Sequence, residues 1–225
     1  MADRASPAGA GPPAHPLWDL PTRLFHWSLV PAVFLSWLSQ EREWVAVHLW
    51  SGYAVLVLVS FRFFWGFFGS RHSRFSDFVR GPAAVLSYWR GTGGSAPGHN
   101  PAGGWSVLAL LLLLSVQALT GLFNSDGLLF DGPLHHALDS SWTDKLGEVH
   151  DSVFWVLLAF VALHILAVAY YEVLRGDKLI GPMVTGGAGG AEPAVPPWRA
   201  LVVLLLCIGA LSLAVLLAPE PEVYW

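Results

Sequence analysis

Apolar residues along this chain gather into five runs, at about 24–40, 45–67, 105–123, 147–171 and 200–218, separated by polar or Gly/Pro-rich stretches. A helix rises ~1.5 Å per residue and the hydrocarbon core of a bilayer is ~30 Å thick, so each run approaches spanning length. The first is short, and the second carries Arg62 near its end. The pattern predicts an all-α integral membrane protein with five spans, the first four grouped and the fifth set apart. The expected division is a disordered segment at 1–16, a four-helix domain at 17–183, a Gly/Pro-rich linker at 184–199, a fifth transmembrane helix at 200–218 and a tail at 219–225. The linker, TGGAGGAEPAVPPW, has the flexible and then stiff composition of a connector. PAAVLSYW at 82–89, between Arg80 and Arg90, reads as an interfacial helix, with an ordinary loop as the alternative.

Composition agrees with this pattern. The chain is 54% hydrophobic and 12% charged, which separates it from soluble domains. Of the twelve Lys and Arg residues, only Arg42 and Lys145 fall on one side of a five-span model. The other side holds Arg4, Arg23, Arg62, Arg71, Arg74, Arg80, Arg90, Arg175, Lys178 and Arg199. The positive-inside rule then predicts a cytoplasmic N-terminus, cytoplasmic loops at 70–103 and 173–199, and a periplasmic C-terminus. Glu41, Glu43, Asp126, Asp131, Asp139, Asp144 and Glu148 crowd the opposite face. Tryptophans cluster toward span ends, among them Trp18, Trp44, Trp65, Trp105, Trp142 and Trp198, as in an interfacial belt. Cys207 is the single cysteine, which excludes an internal disulfide, a CxxCH haem attachment and a cysteine-held iron–sulfur cluster.

Four histidines lie inside the apolar runs: His26, His48, His150 and His164. An ionisable ring in hydrocarbon is costly and therefore marks a functional site. His150 and His164 are fourteen residues apart on one predicted helix, so they share a face and stand ~21 Å apart along its axis. Reading each helix from its entry point puts His26 and His164 toward the cytoplasmic face and His48 and His150 toward the other. Two pairs at matching depth are expected. Two imidazoles alone leave a zinc or copper ion under-coordinated, and no Cys, Asp or Glu joins either pair within the membrane. Haem iron meets the shortfall, because the porphyrin supplies four equatorial nitrogens and two histidines complete the sphere. Two haems, one near each face, would form a conductor across the bilayer.

Other residues allow more than one reading. Arg62, Arg71 and Arg74 can pair with haem propionates, and topological charge explains them as well. Gly52 and Gly121 can make room for a flat macrocycle or serve helix packing. The loop at 124–146, with His135 and His136, can cover a cofactor edge, meet a partner or act as a solvated connector. His15, His72 and His99 read as solvated or structural.

LWDLPTRLFHW, VHLWSGYAVLVLVSFRFFWGFFGSRHSRFSDFVRGP, GHNPAGGW and EVHDSVFWVLLAFVALH together resemble a bacterial dihaem b-type cytochrome of the cytochrome b561 type. They are similar also to the b-type subunit of nickel–iron hydrogenases. The resemblance covers about 17–183. It implies His26, His48, His150 and His164 as axial ligands of two non-covalent b haems, in a four-helix haem-binding bundle to which this chain adds a fifth transmembrane helix. It also implies quinone-linked electron transfer in the bacterial inner membrane, within a respiratory chain. The expected function is electron transfer between the quinone pool and a periplasmic c-type cytochrome or hydrogenase-like protein. Two alternatives are a self-contained quinone-linked oxidoreductase acting on a small oxidant such as superoxide, and a haem-bearing anchor of a hydrogenase-like complex. Membrane lipid is an expected neighbour, an oligomer is compatible with the sequence, and no nucleic-acid partner is expected.

Overall fold

Asp19 starts the first helix by accepting a hydrogen bond from the Thr22 N–H at 2.9 Å, with Pro21 in the first turn. In the computed structural model, which describes residues 15–92, 100–127, 130–190 and 192–219, this helix is α1 (Leu20–Glu41). Pro31 lies within it and removes one helical N–H. A tight turn with Glu43 at φ 56° leads directly into α2 (Val45–Phe68), which returns along α1. Two short helices follow at one end of the bundle, α3 (Phe75–Phe78) and α4 (Pro82–Trp89), the second coinciding with the segment read as interfacial. The long helices α5 (Pro101–Gly121) and α6 (Ser140–Ala169) are joined by a loop, and α6 ends in a π-helical turn at Tyr170–Leu174. A short α7 (Ile180–Thr185) and the last long helix α8 (Pro197–Leu216) complete the chain. The described residues form no strand, only two isolated bridges.

Among the described residues, four helices are long and apolar enough to cross a membrane: α2, α5, α6 with its π turn, and α8. The first of the five expected runs is not among them. Its helix has 22 residues, but Arg23, His26, Ser28, Ser36, Ser39, Gln40 and Glu41 dilute its hydropathy. Large apolar side chains cover the outer surface, including Trp155, Leu163, Ile165 and Leu166 on α6, as expected where lipid replaces water.

Helix packing sets the positions of the histidines. α2 is central: it packs on α1, α5 and α8, while α6 packs on α5. Phe25, Phe61, Trp65, Ala200 and Cys207 form one apolar cluster that seats α8 on the side of α2. A second cluster, Ala32, Val55, Val59, Leu114 and Leu157, draws α1, α2, α5 and α6 together at mid-height. Trp44, Trp105, Trp142 and Trp198 are exposed, whereas Trp65 is wholly buried and donates its indole N–H to Asp19 Oδ2 at 2.9 Å. Trp65 is therefore a core residue and not part of an interfacial belt.

The linker region is tied to the start of α1. Gly186 O accepts from the Trp18 N–H, Gly190 N–H donates to His15 O, and Trp27 Nε1 donates to Met183 O. Arg23 donates to Val184 O, and Val195 N–H to Ser70 Oγ. The expected disorder at 1–16 falls mostly outside the described residues, as do His99 and all but the first residue of the 219–225 tail.

Candidate functional site

The four histidines of the apolar runs come together as two pairs. His26 of α1 faces His164 of α6, with ring centres 6.4 Å apart. His48 of α2 faces His150 of α6, with ring centres 6.3 Å apart. Two imidazoles on opposite sides of one metal ion, bonded at ~2.0–2.1 Å with the ring centre ~1.1 Å beyond each nitrogen, have centres ~6.3 Å apart. Both gaps therefore have the width for a single ion between the rings. All four histidines are half-buried.

At the His48–His150 pair the backbone fixes the ring orientation. His48 Nδ1 lies 2.9 Å from Ser36 O, and His150 Nδ1 lies 2.9 Å from Gln117 O. A carbonyl oxygen can only accept, so each Nδ1 carries the proton and each Nε2 keeps its lone pair for a metal. Ser36 and Ser51 brace this end of α1 and α2 through a 2.8 Å hydroxyl contact, with Ser51 also donating to Val47 O. Gly121 makes the close approach of His150 feasible, because a Cβ there would lie 2.9 Å from the His150 Cε1. The room at Gly121 thus serves the imidazole ring. At Gly52, one turn beyond His48, a Cβ would meet nothing within 4 Å, which is the open flank a flat macrocycle needs.

At the other pair, His26 Nδ1 is buried without a hydrogen-bond partner among the described residues. Between the two pairs lies the second apolar cluster, in which Leu157 is seven residues from both His150 and His164. That layer places buried hydrocarbon between the two pairs.

The three candidate arginines part company. Arg62 is 3% exposed, fourteen residues beyond His48 on α2, and so within ~40° of the same face. It continues the Val55–Val59 face toward the level of His26. Its guanidinium stands 5.1 Å from the Phe75 ring centre and 5.8 Å from that of Phe78, and its Nη1 has no hydrogen-bond partner among the described residues. Arg71 and Arg74 are surface residues already engaged with carboxylates. Arg71 pairs with Glu192 at 3.3 Å, and Arg74 with Asp77 at 3.1 Å and Glu192 at 3.9 Å.

Several parts of this site carry no signal in the sequence. The Ser36 and Gln117 carbonyls carry no side-chain signature. The Asp19–Trp65 bond joins residues 46 positions apart, and only the antiparallel register of α1 and α2 brings them together.

The geometry agrees with the relationships of the sequence. The family model for prokaryotic cytochrome b561 matches residues 17–186. The chain is similar to the probable Ni/Fe-hydrogenase 1 B-type cytochrome subunits of Escherichia coli K12 and Escherichia coli O157:H7. Each is 22% identical over 217 aligned positions, covering 77% of this chain and 90% of the relative. No solved structure matches the chain. A family of b-type cytochromes implies haem b, and paired imidazoles in an apolar bundle are a donor set that suits it. The chain belongs to the prokaryotic cytochrome b561 family of membrane electron-transport proteins.

Proposed function

We propose that this chain carries two b haems, one between His26 and His164 and one between His48 and His150, and conducts electrons across the bacterial inner membrane. The observation that carries the reading is the repetition of one ring spacing, 6.4 Å and 6.3 Å, at two heights on α6. His26 with His164 and His48 with His150 would each hold one haem b, which would supply a one-electron iron couple suited to passing electrons and not to binding oxygen or substrate. The protein's part is to hold, tune and insulate. The Ser36 and Gln117 carbonyls raise the basicity of His48 and His150 and lock their tautomer. Leu157 and its neighbours keep the interval between the sites dry, so each site keeps its own potential. In this reading α1 is a fifth span, with His26, Ser36 and Ser39 turned toward the cofactors and the neighbouring helices.

The quinone pool is the proposed partner at one face. At the other, a hydrogenase-like protein is favoured by the names of the relatives, ahead of a c-type cytochrome. The orientation follows the distribution of Lys and Arg, with the N-terminus cytoplasmic and the C-terminus periplasmic. The test is vectorial electron transfer in vesicles that trap ferricyanide and receive a lipophilic quinol outside. Reduction of the trapped oxidant is expected above the rate of protein-free vesicles, and to fall to that rate in His150→Ala. Haems that quinol reduces without any gain over empty vesicles would end the transmembrane reading.

Two substitutions probe the surroundings. Gly121→Val places a branched side chain where His150 Cε1 already lies 2.9 Å from a Cβ position. Selective loss of the haem between His48 and His150 is expected, measured as haem b per protein. Retention of full haem content would show that the ring does not depend on this close approach.

Arg62 is the proposed propionate contact, as a buried guanidinium with a free Nη1 on the cofactor-facing side of α2. Arg62→Leu removes a positive charge that favours the reduced state. The potential of the haem between His26 and His164 is then expected to fall by roughly 1–2 kcal/mol, or about 40–90 mV for one electron. An unchanged or raised potential in a redox titration would remove Arg62 from this role.

A further inference from the structure

A second cluster of ligand-type side chains lies outside the membrane-spanning helices, on the loop between α5 and α6. Asp131, His135 and His136 each offer one ligand atom, and these atoms all lie within 4.8 Å of one another. We propose that the three residues form a binding site for a divalent transition-metal ion of the zinc class.

The donor set fixes the class. Two imidazole nitrogens and one carboxylate oxygen suit zinc and its first-row neighbours, whereas calcium and magnesium prefer all-oxygen shells. The spacing is also suitable. Ligand atoms bonded to a tetrahedral ion at ~2.0–2.1 Å stand ~3.3–3.4 Å apart, and His136 Nε2 is 3.2 Å from Asp131 Oδ2. The remaining closure lies within reach of half-exposed side chains. Three protein ligands leave the fourth position open to water or to a partner's side chain.

Supporting bonds already orient two of the ligands. His135 Nδ1 lies 2.9 Å from Phe123 O, which assigns its proton to Nδ1 and leaves Nε2 for the ion. Asp131 Oδ1 accepts from Ser125 Oγ at 2.6 Å, leaving Oδ2 directed to His136. The backbone beneath is pinned to the end of α5, with Gly132 N–H donating to Asn124 O at 2.7 Å and Leu134 N–H to Leu122 O at 2.8 Å. Phe123 is two residues beyond Gly121, the contact of the His150 ring. The site thus stands at the same end of the bundle as the His48–His150 pair, where an ion would stiffen the loop over that end. It does not depend on the haem assignment.

The simpler account of the same contact is a His136–Asp131 ion pair with no metal. Equilibrium dialysis of the tag-free, detergent-purified holoprotein against Zn²⁺ separates the two, with bound metal measured by mass spectrometry. The wild type is expected to bind one Zn²⁺ per chain saturably and to keep it against millimolar Mg²⁺. His136→Ala and Asp131→Asn are each expected to weaken binding by about tenfold or more, while His72→Ala leaves it unchanged. Haem b, measured on the same samples, reports the cofactor sites independently of zinc. A wild type without saturable Zn²⁺ binding, zinc displaced by Mg²⁺, or variants that bind as the wild type does would each overturn the proposal.

Discussion

His48→Ala and His150→Ala are each expected to remove the same haem, halving the haem b content, while His26→Ala and His164→Ala remove the other. The expectation follows from the two ring pairs, since an iron that loses one of two protein ligands loses both its strongest anchor and its low-spin state. The double variants distinguish pairing from mere proximity. His48→Ala with His150→Ala should cost no more haem than either alone, because both act on one site. His48→Ala with His164→Ala should leave none. Haem b per polypeptide, read with the reduced-minus-oxidised spectrum of each purified variant, supplies the whole pattern. If His26→Ala and His48→Ala deplete the same spectral component, the assignment by depth is wrong.

The next largest effect is expected at a residue remote from any iron. Asp19 caps α1 through the Thr22 N–H, receives the Trp65 indole N–H, and is the carboxylate neighbour of the buried Arg62. Asp19→Ala removes the cap, worth ~1 kcal/mol, and leaves a buried indole N–H without an acceptor, worth ~1–3 kcal/mol. A loss of about 2–4 kcal/mol is expected, read as a thermal midpoint lower by roughly 5–10 °C in detergent. Trp65→Phe leaves the cap in place but takes the donor from the buried Asp19 Oδ2 and trims a buried ring, so a loss of about 1–3 kcal/mol is expected. The two losses should then fail to add in the double variant, because they share one bond. A near-silent Asp19→Ala would show that the buried polar cluster at this end is not what fixes α1 to α2.

The long helices were legible because twenty or so apolar residues have one stable arrangement in lipid, and α2, α5, α6 and α8 follow from that alone. α1 was less legible. Its polar residues lower its hydropathy, yet His26 faces His164 and the Ser36 hydroxyl braces α1 against Ser51 of α2. The histidines were legible because an imidazole among apolar residues has few structural reasons to be there. Their fourteen-residue spacing on α6 then fixed their height and common face.

Contacts that join distant helices were hidden. Nothing in the string FWG at 64–66 shows that Trp65 turns inward to Asp19 and away from the membrane surface. Arg62 lies within an apolar run and Arg71 and Arg74 beyond it, yet the sequence does not show that α3 covers the first and that Glu192, far along the chain, meets the other two. The Gly/Pro stretch at 184–199 reads as a connector by composition, but its backbone groups find partners at Trp18 and Ser70 that composition cannot indicate. His135 and His136 had no assigned place because their third partner, Asp131, is brought alongside by the fold of the loop.

The proposed conductor rests on two haems held by two histidine pairs at different depths. Its most direct test is haem b per polypeptide on the detergent-purified wild-type protein, together with the low-temperature EPR spectrum of the oxidised state. Two haems per chain, both low-spin with bis-imidazole signals, is the predicted result. One haem, none, or a high-spin centre with an open axial position would contradict it, and the conductor across the membrane would lose at least one of its two stations.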